Sequence, residues 1–143
     1  MKQKFLYSLD ELPCVVKQLK KLLKNCAILT FTGPLGAGKT TLIKELLKSI
    51  GVKERVTSPT FTYVNRYDNG NGKHLYHFDL YRIKSLQEFI EAGFQEYLYQ
   101  QDSLVLIEWP ELIQSLFTRD VCTIEISYHE DPSKRVLLMS SDN

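Results

Sequence analysis

Long hydrophobic runs are missing from this 143-residue chain, and no stretch approaches the length needed to cross a membrane. Lys2 and Lys4 precede Phe5, Leu6 and Tyr7, but Ser8, Asp10 and Glu11 end the apolar stretch at once. That is too short for the hydrophobic segment of a signal peptide. A soluble, cytoplasmic protein with no membrane partner is expected. Cysteine is sparse and odd in number, at Cys14, Cys26 and Cys122, with no C-x-x-C pair. This argues against a disulfide framework or a cysteine-based zinc site and leaves buried free thiols as the expectation. Histidine is equally sparse. His74 and His77 are three apart in a strand-like segment, so they point to opposite faces and share no metal site. Excess charge is lacking too: a net charge of +1 offers no broad basic field for gripping nucleic acid. No repeat, linker or low-complexity tract divides the chain, so residues 1–143 are expected to form one domain.

What is present alternates between helix and strand signals. Asp10 is the expected N-cap of a helix whose Val15, Val16, Leu19, Leu22 and Leu23 share one face. Lys17, Lys20, Lys21 and Lys24 fall largely on the other side and read as a solvated face. Cys26 to Thr32 is apolar and rich in strand formers, as a buried strand would be. Gly33 to Gly38 then forms a glycine-bearing turn. Leu42, Ile43, Leu46, Leu47 and Ile50 resume helical spacing, and Gly51 marks the stop. Phe61 to Tyr67 and Lys73 to Leu80 are expected strands, joined as a hairpin at Asn69-Gly70-Asn71-Gly72. A short helix follows from Ser85 to Ala92, ended near Gly93, and then a buried strand from Leu104 to Ile107. Pro110 opens a helix through Phe117. Val121 to Ser127 and Arg135 to Met139 are the last expected strands. The pattern predicts an α/β protein, a mixed β-sheet flanked by helices on both faces in the manner of P-loop NTPases.

One motif carries chemistry on its own. Gly33-Pro34-Leu35-Gly36-Ala37-Gly38-Lys39-Thr40 fits G-x-x-x-x-G-K-[ST] in full, between an expected strand and an expected helix. Glycines let the backbone curl so that its N–H groups face phosphate oxygens. The helix N-terminus behind them favours anions. Lys39 can reach the β- and γ-phosphates as a point charge, and the Thr40 hydroxyl is a hard oxygen ligand suited to Mg2+. Thr41 adds a donor near the α-phosphate. An acid near the metal completes such a site, usually at the end of a buried strand. Glu108 after Leu104–Ile107 and Asp79 after Leu75–Phe78 are the candidates. The Ser58-Pro59-Thr60 loop carries hydroxyls that suit a γ-phosphate sensor or an ordinary turn. Trp109 suits core packing or a place beside the ligand.

Taken together, GPLGAGKTT (33–41), SPTFTYVNRY (58–67), YHFDLYR (76–82) and LIEWPE (106–111) resemble the TsaE (YjeE) family of bacterial ATPases. That family serves in making N6-threonylcarbamoyladenosine (t6A) in tRNA, and the likeness covers nearly the whole chain. It implies ATP with Mg2+ as ligands, held by the loop from Gly33 through Leu35, Gly36, Ala37, Gly38, Lys39, Thr40 and Thr41. It implies that Lys39 and Thr40 bind phosphate and metal, and that Asp79 and Glu108 serve the metal or the attacking water, in a division left open. It places Thr60 at the γ-phosphate as a switch and Trp109 beside the nucleotide. It implies TsaD and TsaB as protein partners and tRNA only indirectly, through that complex. The choice of ATP over GTP rests on the resemblance, although no Asn is followed by Lys, so a guanine-reading N-K-x-D motif is absent. Two other readings remain. A small-molecule kinase would need a lid with arginines, and only Arg119 and Arg135 follow Arg82. A nucleotide-gated binding module would turn over incidentally.

Overall fold

The computed structural model describes residues 2–118 and 120–141, so Arg119 lies outside the described residues. The strands are β1 (Lys2–Ser8), β2 (Ile28–Thr32), β3 (Val64–Asp68), β4 (His74–Asp79), β5 (Ser103–Glu108), β6 (Val121–Tyr128) and β7 (Lys134–Ser141). The α-helices are α1 (Leu12–Leu22), α2 (Lys39–Ser49) and α3 (Leu86–Glu91). Three 3-10 helices, Leu9–Glu11, Phe94–Leu98 and Glu111–Leu116, fill connections. The strands form one mixed sheet in the order β1-β7-β6-β2-β5-β4-β3. Neighbours among β6, β2, β5 and β4 run parallel, while the outer pairs β1–β7, β7–β6 and β3–β4 are antiparallel.

Side-chain alternation splits the interior into two cores. Leu29 and Phe31 of β2 face one side with Leu75, Leu104 and Leu106, under α1 and α2. Ile28, Tyr76, Phe78, Val105 and Ile107 face the other, under α3 and the short helices at Leu98 and Ile113. Helices therefore cover both faces, as the sequence pattern requires. Val15, Val16, Leu19 and Leu22 of α1 are buried, and Lys17, Lys20, Lys21 and Lys24 are exposed. After α2, Gly51 takes φ 112° and Val52 N–H reaches back to the Leu47 carbonyl at 3.1 Å, a glycine-dependent helix stop.

Several local expectations are corrected. Asp10 is not the cap of α1: it sits inside the Leu9–Glu11 turn, and Ser8 with Glu11 forms the capping box there, Ser8 N–H donating to Glu11 Oε1 at 3.0 Å. The N-terminal segment, for which no element was expected, is strand β1. Phe61, Thr62 and Tyr63 are a turn rather than strand; Phe61 is 82% exposed and Tyr63 has φ 69°. The segment after Pro110 is 3-10 rather than α-helix. The cysteines also differ from three buried thiols. Cys14 is exposed, while Cys26 and Cys122 are joined as a disulfide, their Cα atoms 5.9 Å apart. The parallel pairing of β2 with β6 brings them together across 96 residues, which no spacing rule on the sequence reveals.

Candidate functional site

Parallel strands β2, β4 and β5 all end at one edge of the sheet, and each ends in a residue of the loop or an acid. β2 runs out at Thr32 into the glycine-bearing loop, β4 ends at Asp79 and β5 at Glu108. Carboxyl ends of parallel strands are where α/β sheets bind ligands. A cavity of about 380 Å³ opens here, lined by Leu35, Gly36, Gly38, Lys39, Thr40, Thr41, Thr60, Asp79, Tyr81, Arg82, Glu108 and Trp109. Of the loop residues, Gly33, Pro34 and Ala37 do not line it. Gly33 lies beneath the loop, with φ 144°, and a Cβ there would stand 2.2 Å from the Ile126 carbonyl oxygen. Glycine is thus required by both backbone and space. Ala37 is buried and faces a second cavity of about 250 Å³ on the other flank of the loop, shared with Tyr7, Leu9, Leu12, Thr41, Pro132, Ser133 and Arg135.

The C-terminal strands brace the loop. Tyr128 Oη donates to the Leu35 carbonyl at 2.6 Å, and Arg135 Nε donates to the Ala37 carbonyl at 3.2 Å. The Arg135 guanidinium also stacks on the Tyr128 ring, 4.9 Å from its centroid. These contacts span more than ninety residues of sequence, so the motif alone gives no sign of them.

Lys39 opens α2 and is almost buried, 5% exposed. Its ammonium donates to the Gly33 carbonyl and, at 3.1 Å, to the Pro34 carbonyl. It lies 3.9 Å from the centroid of the Trp109 ring. Burial pulls its pKa down, against the opposing charges of Glu108, Asp79 and Glu111. Trp109 has φ 60° and packs against Tyr81, so a strained backbone turns this ring to the cavity. The second non-glycine residue of this kind here, Tyr63, accepts the Asp79 N–H on its carbonyl at 3.0 Å.

The two acids are direct neighbours in the β4–β5 register and point to the α2 face. Glu108 is 2% exposed. Its Oε1 accepts from Thr40 Oγ1 at 2.8 Å, and its Oε2 meets His77 Nε2 at 2.7 Å. Asp79 accepts the Tyr81 N–H at 3.1 Å and the Ser58 hydroxyl at 3.3 Å. Burial pushes the Asp79 carboxyl above the usual carboxylate range; the Tyr81 N–H opposes that shift, and the Glu108 charge adds to it. Ser58 in turn meets Thr60 at 2.9 Å between hydroxyl oxygens, so the 58–60 loop touches the acids through Ser58 and the cavity through Thr60.

Among the described residues no three of His, Cys, Asp and Glu converge as a preformed metal cluster. Magnesium does not need one, since it takes one or two protein oxygens and leaves the rest to water and phosphate. Adjacent ligands on an octahedral cation with bonds of about 2.1 Å lie about 3 Å apart. The 2.8 Å between Thr40 Oγ1 and Glu108 Oε1 fits two such positions. The residue that sequence reasoning missed is His77. Its link to Glu108 crosses 31 residues and depends on strand register, so the histidine spacing rule found nothing.

The match to a family model covers residues 6–137; that family is described as threonylcarbamoyl adenosine biosynthesis protein TsaE. The tRNA threonylcarbamoyladenosine biosynthesis protein TsaE of Haemophilus influenzae is 40% identical over 126 residues, spanning 87% of this chain and 78% of that protein. The protein of the same name from Bacillus subtilis is 32% identical over 134 residues, spanning 94% and 82%. The crystal structure of YdiB from Bacillus subtilis superposes with a TM-score of 0.75 at 26% identity, covering 100% of this chain and 87% of that one.

Proposed function

The chain belongs to the TsaE family of t6A biosynthesis proteins, and from that premise we propose that it is a Mg2+-dependent ATPase that drives a TsaD–TsaB threonylcarbamoyl-transfer complex. The observation that carries this reading is the convergence of Lys39, Thr40, Asp79 and Glu108 on one cavity at the sheet edge. The loop amides from Gly33 to Gly38 and the N-terminus of α2 offer positive ends to phosphate oxygens. Lys39, folded back on loop carbonyls, would turn to the β- and γ-phosphates of a bound nucleotide. The second cavity, beyond Thr41 between Leu9, Leu12 and Arg135, would have room for base and ribose. Thr40 and Glu108 would hold Mg2+, which when bound would supply charge neutralisation at the phosphates. Asp79, bonded to Ser58 beside the cavity, would orient water against the γ-phosphate. Thr60 senses the γ-phosphate and passes its presence through Ser58 to Asp79.

The protein acts in the cytoplasm and meets tRNA only through the complex. Slow hydrolysis alone and faster hydrolysis with the TsaD–TsaB pair is the expected result. Thr60→Ala is expected to keep ADP affinity within about twofold while losing the difference in partner affinity between ADP and a non-hydrolysable ATP analogue. Calorimetry of the pair with each nucleotide state checks both. No nucleotide-dependent association in the wild type would refute the proposal.

A further inference from the structure

His77 lies in the interior of β4, fully buried, where strand alternation calls for an apolar side chain like its neighbour Leu75. Imidazole is a poor filler for such a place, because both ring nitrogens must lose water. Only one finds a partner. Nε2 meets Glu108 Oε2 at 2.7 Å, and Nδ1 is a buried side-chain atom with no hydrogen-bond partner among the described residues. The ring is thus held on one side by the Glu108 carboxylate.

We infer that His77 is the positioning residue for Glu108, fixing which carboxylate oxygen faces the cavity. This rests on the nucleotide–Mg2+ reading above. Register makes the contact possible: Asp79 pairs with Glu108 and His77 with Leu106, so His77 is the diagonal neighbour of Glu108 on the same face. With Oε2 engaged by His77, Oε1 alone is turned to Thr40, at the 2.8 Å spacing that fits a shared cation.

Trp109, the single tryptophan of the chain, lines the cavity and gives a direct readout. ADP is titrated by tryptophan fluorescence in Mg2+ and in EDTA, for wild type, His77→Leu, His77→Gln and His77→Asn, with each variant's fold checked by thermal melting. Outer-shell partners of metal ligands are worth about tenfold or more in metal affinity. His77→Leu is therefore expected to lose at least about tenfold of the Mg2+-dependent gain in ADP affinity, with the EDTA affinity held within about twofold. His77→Gln, whose amide reaches the Nε2 position, restores most of the gain. His77→Asn, whose amide falls short, does not, and this pair decides the matter if the leucine variant fails to fold. A wild-type ratio of Mg2+ to EDTA affinities in His77→Leu or His77→Asn would overturn the inference and leave His77 a core residue. Wild-type protein that binds ADP equally with and without Mg2+ would instead overturn the metal reading beneath it.

Discussion

Asp79 is held at the cavity at a cost to the fold. Burial raises its carboxyl pKa, so the folded protein binds the proton more tightly than the unfolded chain. The stability gained from that proton is fully present below the unfolded pKa and is lost as pH rises through the folded one. At neutral pH the ionised group destabilises the fold. Asp79→Asn is therefore expected to raise the melting temperature at pH 7 by a few degrees, with the gain vanishing at pH 3, while hydrolysis is lost. Melting curves of both proteins from pH 3 to 8 check this, and equal melting temperatures at pH 7 would contradict it. Lys39, Thr40 and Glu108 were legible in the sequence because each belongs to a local pattern: a loop motif, or an acid closing an apolar run. His77 and Ser58 were not read as partners of those acids, because their contacts are set by strand pairing and by a loop crossing from another part of the chain.

The loop after β2 is an element whose shape is imposed from outside as much as from within. Gly33→Ala meets both a left-handed φ and the Ile126 carbonyl, so a loss of at least about 2 kcal/mol is expected in urea melts, with nucleotide binding abolished. Tyr128→Phe removes a single hydrogen bond to the loop and is expected to cost about 1 kcal/mol or less. It should weaken ADP several-fold, which separates bracing of the loop from general stability. Strand β2, helix α2 and the β3–β4 hairpin were readable because hydrophobic period and turn residues agreed there. Strand β1 was not, since this edge strand opens with Lys2, Gln3 and Lys4 and carries only Phe5, Leu6 and Tyr7 as apolar signal, without alternation. The turn at Phe61 to Tyr63 was taken for strand because its residues are strong strand formers. Tertiary context overrides that preference, with the Tyr63 carbonyl committed to the Asp79 N–H.

At the scale of the whole molecule, ligand and fold are linked. A nucleotide that binds only the folded state stabilises it by about 2.7 kcal/mol at a hundredfold excess over its Kd. For a chain of this size that is a rise in Tm on the order of 8 °C. Wild-type protein is expected to show such a shift with MgADP, and Lys39→Ala to show almost none, since a charge-assisted contact to phosphate is worth about 1.5–3 kcal/mol. Scanning calorimetry with and without MgADP tests it. The mixed sheet was foreseeable as a class, but its strand order was not, because β1 pairs with β7 from the opposite end of the chain, Lys2 facing Ser140. That pairing has a consequence in time. Synthesis on the ribosome delivers β1 long before β7, its partner among the described residues, whose Lys134 pairs with Ser8 at the near end of the register. Tyr128 at the end of β6 and Arg135 in β7, which hold the glycine loop, arrive late as well. A nascent chain therefore carries its glycine loop long before Tyr128 and Arg135 can brace it, and under the proposed function its competence to hold nucleotide waits for both strands.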